Sequence, residues 1–309
     1  MTRINPPVVT QVETGPDDPR FGRLLASRLG PHEMPKALIL GFPSDEGVRR
    51  NGGRVGAAGG PRAIRAALYR LAADPRLEQF EDFLGRTRDV GDLEISRNLE
   101  ADQEHLGEAL APYLDAGVFV IVLGGGHETS YGHFLGYARA GKKVEIVNWD
   151  AHPDVRGLKQ GQGHSGSPFR QAIEHPSGAC RRYSVAGLQP HSVAAAHYQF
   201  VQQHGRAIWR DEVTRTTIDE LYRGLSAPAL ASFDLDAVIE SEAPGVSAPN
   251  GAGLASELWL AAAHAAGQSA SVTSADVVEE NPAFDQDGRT ARLAALTVWW
   301  LLRGRAGRG

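Results

Sequence analysis

The 309-residue chain is poor in sulfur and aromatics, with one cysteine, two methionines and 7% Phe, Trp and Tyr. Cys180 alone forms no intrachain disulfide and no CxxC pattern, which excludes a dithiol redox centre and a cysteine-ligated zinc ribbon. Any metal must be held by histidine and carboxylate. Basic residues are not in excess either, 32 against 37 acids for a net charge of -5. No global field draws the protein to nucleic acid or an anionic membrane. The apolar stretch 293–302 near the C-terminus is about half the length of a membrane-spanning helix. Residues 1–14 lack a cationic head followed by an apolar run. The expectation is a cytoplasmic protein that handles small molecules, with neither nucleic-acid nor membrane partners.

What is present is the patterning of a globular α/β protein, with 42% hydrophobic and 22% charged residues. Residues 1–35 are polar and dotted with proline, which predicts a surface leader segment. Short apolar runs at 37–42, 118–123, 144–149, 183–188, 229–235 and 271–278 read as buried strands. Helical spacing occupies 62–73, 100–114, 191–204, 256–266 and 288–303. Strands alternating with helices predict a three-layer α/β/α fold on a mostly parallel sheet. No repeat, charged block or Ser-rich linker divides the chain, so residues 1–309 are expected to form a single domain.

Ligands of such sheets bind beyond the carboxyl ends of the strands, and three of those ends are unusual. The run at 118–123 leads into Gly124-Gly125-Gly126-His127-Glu128. The run at 144–149 leads into Asp150-Ala-His152-Pro-Asp154, and that at 229–235 contains Asp234-Leu-Asp236. Any one of these alone reads as a turn former or helix cap. Together they are four aspartates and two histidines at the apolar ends of buried strands, where they repel or suffer desolvation unless a cation neutralises them. Six ligands are too many for one tetrahedral zinc and suit two oxygen-preferring ions, Mn²⁺ being the best match to mixed imidazole and carboxylate. Bridging by Asp150 and Asp234 would set the ions roughly 3.5–4 Å apart.

Other patterns fail their own tests. The glycine-rich stretch 52–61 is followed by no Gly-Lys-Ser/Thr, His127 has no second histidine four residues on, and Gly163-His-Ser165-Gly lacks the glycine spacing of a nucleophile elbow.

The segments Gly-Gly-Gly-His127-Glu, Asn148-Trp-Asp150-Ala-His152-Pro-Asp154, Ser232-Phe-Asp234-Leu-Asp236 and Glu279-Glu-Asn281-Pro282 resemble the binuclear manganese motifs of the ureohydrolase superfamily. That superfamily contains arginases, agmatinases and formimidoylglutamases. Ser44-Asp-Glu-Gly-Val-Arg-Arg-Asn51, Tyr131-Gly-His133-Phe, His164-Ser-Gly-Ser-Pro-Phe and Gly187-Leu-Gln-Pro make the chain most similar to the formimidoylglutamase branch. So do Gly126 and Glu128 around the first histidine, where arginases and agmatinases usually have Asp and Ser. The resemblance implies an arginase-like fold and two Mn²⁺ ions, one on His127, Asp150, Asp154 and Asp234, the other on Asp150, His152, Asp234 and Asp236. It implies a metal-generated hydroxide that attacks the amidine carbon of N-formimidoyl-L-glutamate, giving formamide and L-glutamate in histidine breakdown, with a urea-releasing guanidine hydrolase as the alternative and a non-catalytic metal-binding paralogue behind both. It further implies His164 as proton shuttle, Glu279 as the acid that holds the cationic substrate nitrogens, and a homo-oligomeric assembly. A dicarboxylate substrate calls for cations, and Arg156 and Arg54 are the chosen candidates, with Arg49, Arg50 and Arg170 behind them.

Overall fold

The computed structural model describes residues 3–8, 14–30, 32–226 and 228–308. Among them nine strands form one sheet, namely β1 (Ile4–Asn5), β2 (Ala37–Phe42), β3 (Thr87–Leu93), β4 (Phe119–Gly124), β5 (Val144–Trp149), β6 (Cys180–Leu188), β7 (Gly205–Trp209), β8 (Ala229–Asp234) and β9 (Val272–Val278). Their order is β1-β3-β2-β4-β9-β8-β5-β6-β7. Every pairing is parallel except that of β1 with β3. The helices are α1 (Phe21–Leu24), α2 (Glu46–Asn51), α3 (Gly60–Leu68), α4 (Gln79–Gly85), α5 (Leu99–Asp115), α6 (Thr129–Arg139), α7 (Pro168–Ile173), α8 (Ala195–His204), α9 (Arg215–Arg223), α10 (Ser256–Gln268) and α11 (Arg289–Ala306).

Strands β2, β4, β5 and β8 are buried along their whole length, as uninterrupted apolar runs in a doubly covered parallel sheet must be. Alternate side chains serve two cores. Ile39, Ile121, Val147 and Trp149 pack under α3, α4, α9, α10 and α11. Leu38, Leu40, Val120 and Val122 pack under α5, α6, α7 and α8. Fully burying each large apolar side chain contributes about 1.5–3 kcal/mol. Local signals fix several helix starts. Pro61 opens α3, and Asn98 and Thr214 cap α5 and α9 by accepting backbone N–H groups of Ala101 and Thr217. The fold is the expected three-layer α/β/α arrangement on a mostly parallel sheet.

The leader is not confined to the surface. Strand β1 pairs with the sheet edge, and α1 places Phe21, 0% exposed, and Leu24 in a core. Two apolar side chains in a polar, proline-dotted stretch give no periodicity to read. Residues 1–2, 9–13 and 31 of that stretch lie outside the described residues. Strand β3 escaped the apolar-run criterion because Asp89 and Asp92 serve a buried cation, accepting from Arg65 at 2.8 and 2.5 Å. Among the described residues no helix is long and apolar enough to cross a membrane.

Candidate metal centre

Strands β4, β9, β8 and β5 are consecutive in the sheet. Their carboxyl ends carry, in that order, His127, Glu279, Asp234 with Asp236, and Asp150 with His152 and Asp154. Each of the four strands is apolar over most of its length and turns polar where pairing ends, so adjacent strands deliver their polar ends to one place. Short-range bonds shape the turns. Asp150 Oδ1 accepts the His152 N–H at 2.6 Å, and Asp234 Oδ1 accepts the Asp236 N–H at 2.9 Å. Asp154 and Glu279 have φ of 44° and 68°. Such left-handed values cost a non-glycine residue about 1–3 kcal/mol and persist only where the surroundings hold them. Both residues line the same cavity, of about 180 Å³.

The donor atoms fall into two groups. His127, Asp150, Asp154 and Asp234 form one, and Asp150, His152 and Asp236 the other. His127 Nδ1 faces carboxylate oxygens of Asp234, Asp154 and Asp150 at 2.8, 3.0 and 3.3 Å. His152 Nδ1 lies 3.0 Å from Asp236 and 3.4 Å from Asp150. Asp150 belongs to both groups. Asp234, expected in both, falls in the first alone.

The proton inventory shows that the groups want positive charge. Ser232 Oγ donates to Asp276 Oδ1 at 2.5 Å, so it accepts from His127 Nε2–H at 3.0 Å. With the Nε2 proton fixed there, His127 Nδ1 makes no hydrogen bond although it is buried among three carboxylates. A bare lone pair facing carboxylate oxygens is repulsive, so a proton or a metal ion must stand between them. The titration behaviour has the same origin. Burial opposes charge on His127, but Asp234, Asp150 and Asp154 overcome it and raise its pKa well above the ordinary imidazole value. Asp236 raises His152 to about 12. Burial, then Asp150, lifts Asp234 to about 6, and burial with Asp234 pushes Asp236 well up. Protons thus hold the cluster together where cations are lacking. Two nitrogen and four carboxylate ligands in two groups sharing one carboxylate fit a pair of divalent ions.

The sequence profile of the arginase family matches residues 35–303. The chain belongs to the arginase family. It is 39% identical to a formimidoylglutamase of Rhodococcus opacus over 274 residues, 84% of this chain and 82% of that one. A formimidoylglutamase of Chromobacterium violaceum is 37% identical, covering 87% and 88%. Among solved structures, Trypanosoma cruzi formiminoglutamase with Mn²⁺ superposes with a TM-score of 0.87 at 33% identity, covering 95% of this chain and 100% of that one.

Around the centre of this arginase-family chain, the remaining candidates divide. Glu279 lines the cavity. Its Oε1 accepts the His127 N–H at 2.8 Å, and its buried Oε2 has no partner. The neighbouring Glu280 is fully buried outside that cavity, both carboxylate oxygens unpartnered, and burial pushes it up to about 8. Arg156 is exposed and lines the cavity mouth. Arg54 does not. Its guanidinium donates to the Val246 and Ser247 carbonyls and lies 4.2 Å from the Phe284 ring centre, so it ties two loops together. Those bonds occupy the guanidinium that was expected to meet a substrate carboxylate. Arg49, Arg50 and Arg170 are each paired with a glutamate.

His164 is not brought to the cavity. Nδ1 accepts the Gly166 N–H and Nε2–H donates to the Gly157 carbonyl, both at 3.1 Å, so the neutral ring is spent inside its own loop. Burial, with Lys159 and Arg156 nearby, holds its pKa below the ordinary value. The sequence reading passed over Asp276, which anchors the His127 tautomer. Its signal is a pair of polar residues, Ser232 and Asp276, at matched register in adjacent buried strands. His133 donates to the other Asp276 oxygen at 2.8 Å.

Proposed function

We propose that the protein is a formimidoylglutamase, converting N-formimidoyl-L-glutamate and water to L-glutamate and formamide. The observation that carries this reading is the pair of His/Asp groups sharing Asp150 beneath a cavity, in a chain 39% identical to a formimidoylglutamase. His127, Asp150, Asp154 and Asp234 would hold one Mn²⁺, and Asp150, His152 and Asp236, completed by Asp234, the second. Two such ions supply a water-derived nucleophile at neutral pH and a Lewis acid for the amidine.

The chain's own residues do the rest. Glu279, fixed through Oε1, presents Oε2 to the N–H groups of the amidinium, a charge-assisted contact that orients the carbon for attack. The exposed Arg156 guanidinium takes a substrate carboxylate at the mouth. Once its ring leaves the Gly157 and Gly166 contacts, His164 takes up a proton from solvent and passes it to the departing amine. The family resemblance supports a cytoplasmic homo-oligomer.

The test is a substrate panel on Mn²⁺-loaded protein, comprising N-formimidoyl-L-glutamate, arginine, agmatine and guanidinobutyrate. Formamide and glutamate from the first are expected. Urea from a guanidine, with no formamide, would replace this reading by another ureohydrolase. His164→Ala is expected to keep both ions and lower kcat by roughly 10²-fold or more, the ordinary worth of a general acid. An unchanged kcat removes His164 from the mechanism.

A further inference from the structure

The segment after Asp154 is a built hairpin. Lys159 and Gln162 exchange both backbone hydrogen bonds, at 3.0 and 2.9 Å. Between them Gln160 and Gly161 take φ of 52° and 77°, the pair of left-handed residues that a tight two-residue turn requires. At the base of the hairpin Arg156 N–H donates to the Gly166 carbonyl at 2.9 Å. The end of α2 clamps this hairpin, with Arg50 donating to the Gly163 carbonyl at 3.0 Å and Asn51 Nδ2 to Ser165 Oγ at 3.1 Å.

The charges at this junction are unbalanced. Lys159 Nζ donates to Asn51 Oδ1 at 3.1 Å and to the carbonyls of Asn51 and Arg50 at 3.1 and 3.3 Å. Arg156 Nη1 reaches the same Asn51 Oδ1 at 3.4 Å. Two cations therefore share one neutral acceptor, and Asn51 lines the cavity beside Arg156. Among the described residues neither cation has a carboxylate within 4.0 Å, whereas Arg49, Arg50 and Arg170 around them are all paired. Like charges crowded on one amide oxygen repel, and an arriving anion relieves that repulsion.

We infer that Lys159 is a specificity-determining residue, binding the second carboxylate of a dicarboxylate substrate while Arg156 binds the first. The inference rests on the reading of the site as an amidine hydrolase. Arg156, at the base of the hairpin and on the cavity wall, takes the carboxylate next to the amidine. Lys159, nearer the tip and beyond the cavity lining, leaves its Asn51 and Arg50 acceptors to take the distal one. Asn51 spaces the two cations.

The experiment compares N-formimidoyl-L-glutamate with N-formimidoylglycine, which lacks the distal carboxylate, on Mn²⁺-loaded enzyme. Lys159→Met is expected to raise KM for the glutamate substrate about tenfold, the loss of one exposed charge-assisted hydrogen bond. Its kcat, and its KM for the glycine substrate, should not change. Arg156→Ala is expected to raise KM for both, and Lys159→Arg to retain most of the native KM. A purely structural Lys159, stapling the hairpin to α2, would shift both substrates alike in Lys159→Met. That result, or an unchanged KM for the glutamate substrate, overturns the inference. If the unsubstituted enzyme leaves N-formimidoyl-L-glutamate intact, the functional reading fails instead. Calorimetry with glutarate then decides the role of Lys159, and equal affinity for native and Lys159→Met protein refutes it.

Discussion

Asp150→Asn is expected to cost the protein at least one of its two Mn²⁺ ions and to lower kcat/KM by roughly 10³-fold or more, since a metal centre supplies several kcal/mol of transition-state stabilisation. Asp150 is the carboxylate common to both ligand groups. Oδ2 lies 3.3 Å from His127 Nδ1 and Oδ1 3.4 Å from His152 Nδ1. Asparagine has nearly the same shape and still offers one oxygen to the His152 N–H, so the turn that presents the next ligand survives. What disappears is charge, and the melting temperature is expected to fall with and without metal, by more when metal is present. In metal-free protein burial opposes charge on Asp150, but His127 and His152 overcome it and hold its carboxyl well below the usual carboxylate range. Removing that charge strips both imidazoliums of a buried partner, so the melting temperature should fall. In Mn²⁺-loaded protein the ligand stabilisation shrinks with the lost affinity, so it should fall. Metal content by mass spectrometry and paired melting curves check both halves. Two ions retained per chain, with equal losses of melting temperature in the two states, would show that Asp150 has a structural role instead.

The positions of the metal ligands could be read in the sequence because parallel strands buried on both faces leave uninterrupted apolar runs. Where such a run breaks into Asp150, His152 and Asp154, or into Asp234 and Asp236, the break itself marks the active end of the sheet. Contacts between distant segments could not be read so. Arg54 matched the chemistry of carboxylate binding, but a guanidinium satisfies backbone carbonyls equally well, and only folding brought Val246 and Ser247 against it. The ring of His164 is set by two backbone groups of its own loop, which no spacing rule anticipates. Helix α6 went unseen because it is buried nearly all round and carries Gly132 and Gly136. A Cβ on Gly132 would lie 3.0 Å from Leu106 and 3.1 Å from the Gln103 backbone, so glycine is what lets α5 approach. Lys159 and Asn51 form one junction although 108 residues separate them.

Asp276→Asn is expected to weaken Mn²⁺ binding by about 10–100-fold, the usual effect of removing an outer partner of a metal-ligating histidine, although Asp276 touches no ligand itself. The fully buried carboxylate accepts from Ser232 Oγ at 2.5 Å, Ser130 Oγ at 3.1 Å and His133 Nδ1 at 2.8 Å. Its demand for protons makes Ser232 a donor on that side and an acceptor towards His127, which holds the His127 proton on Nε2 and leaves Nδ1 for the metal. An asparagine turns one of its two acceptors into a donor. With the amide nitrogen towards Ser232, the serine hydroxyl turns and donates to His127 Nε2, driving the imidazole proton onto Nδ1 among the carboxylates. With the nitrogen towards His133, two donors meet and that buried pair is lost. The first arrangement disturbs the His127 ligand directly, and in the second a neutral amide oxygen replaces the carboxylate as the Ser232 acceptor and holds the relay less firmly. Because the lesion lies in affinity and not in the reacting groups, saturating Mn²⁺ should restore most of kcat, whereas the Asp150 variant stays inactive at any concentration. Titrating activity and bound Mn²⁺ against free Mn²⁺ separates the two cases. Ser232→Ala, which removes the relay without altering charge, should shift the curve in the same direction, and a native affinity in both variants would leave the His127 tautomer set by the metal alone.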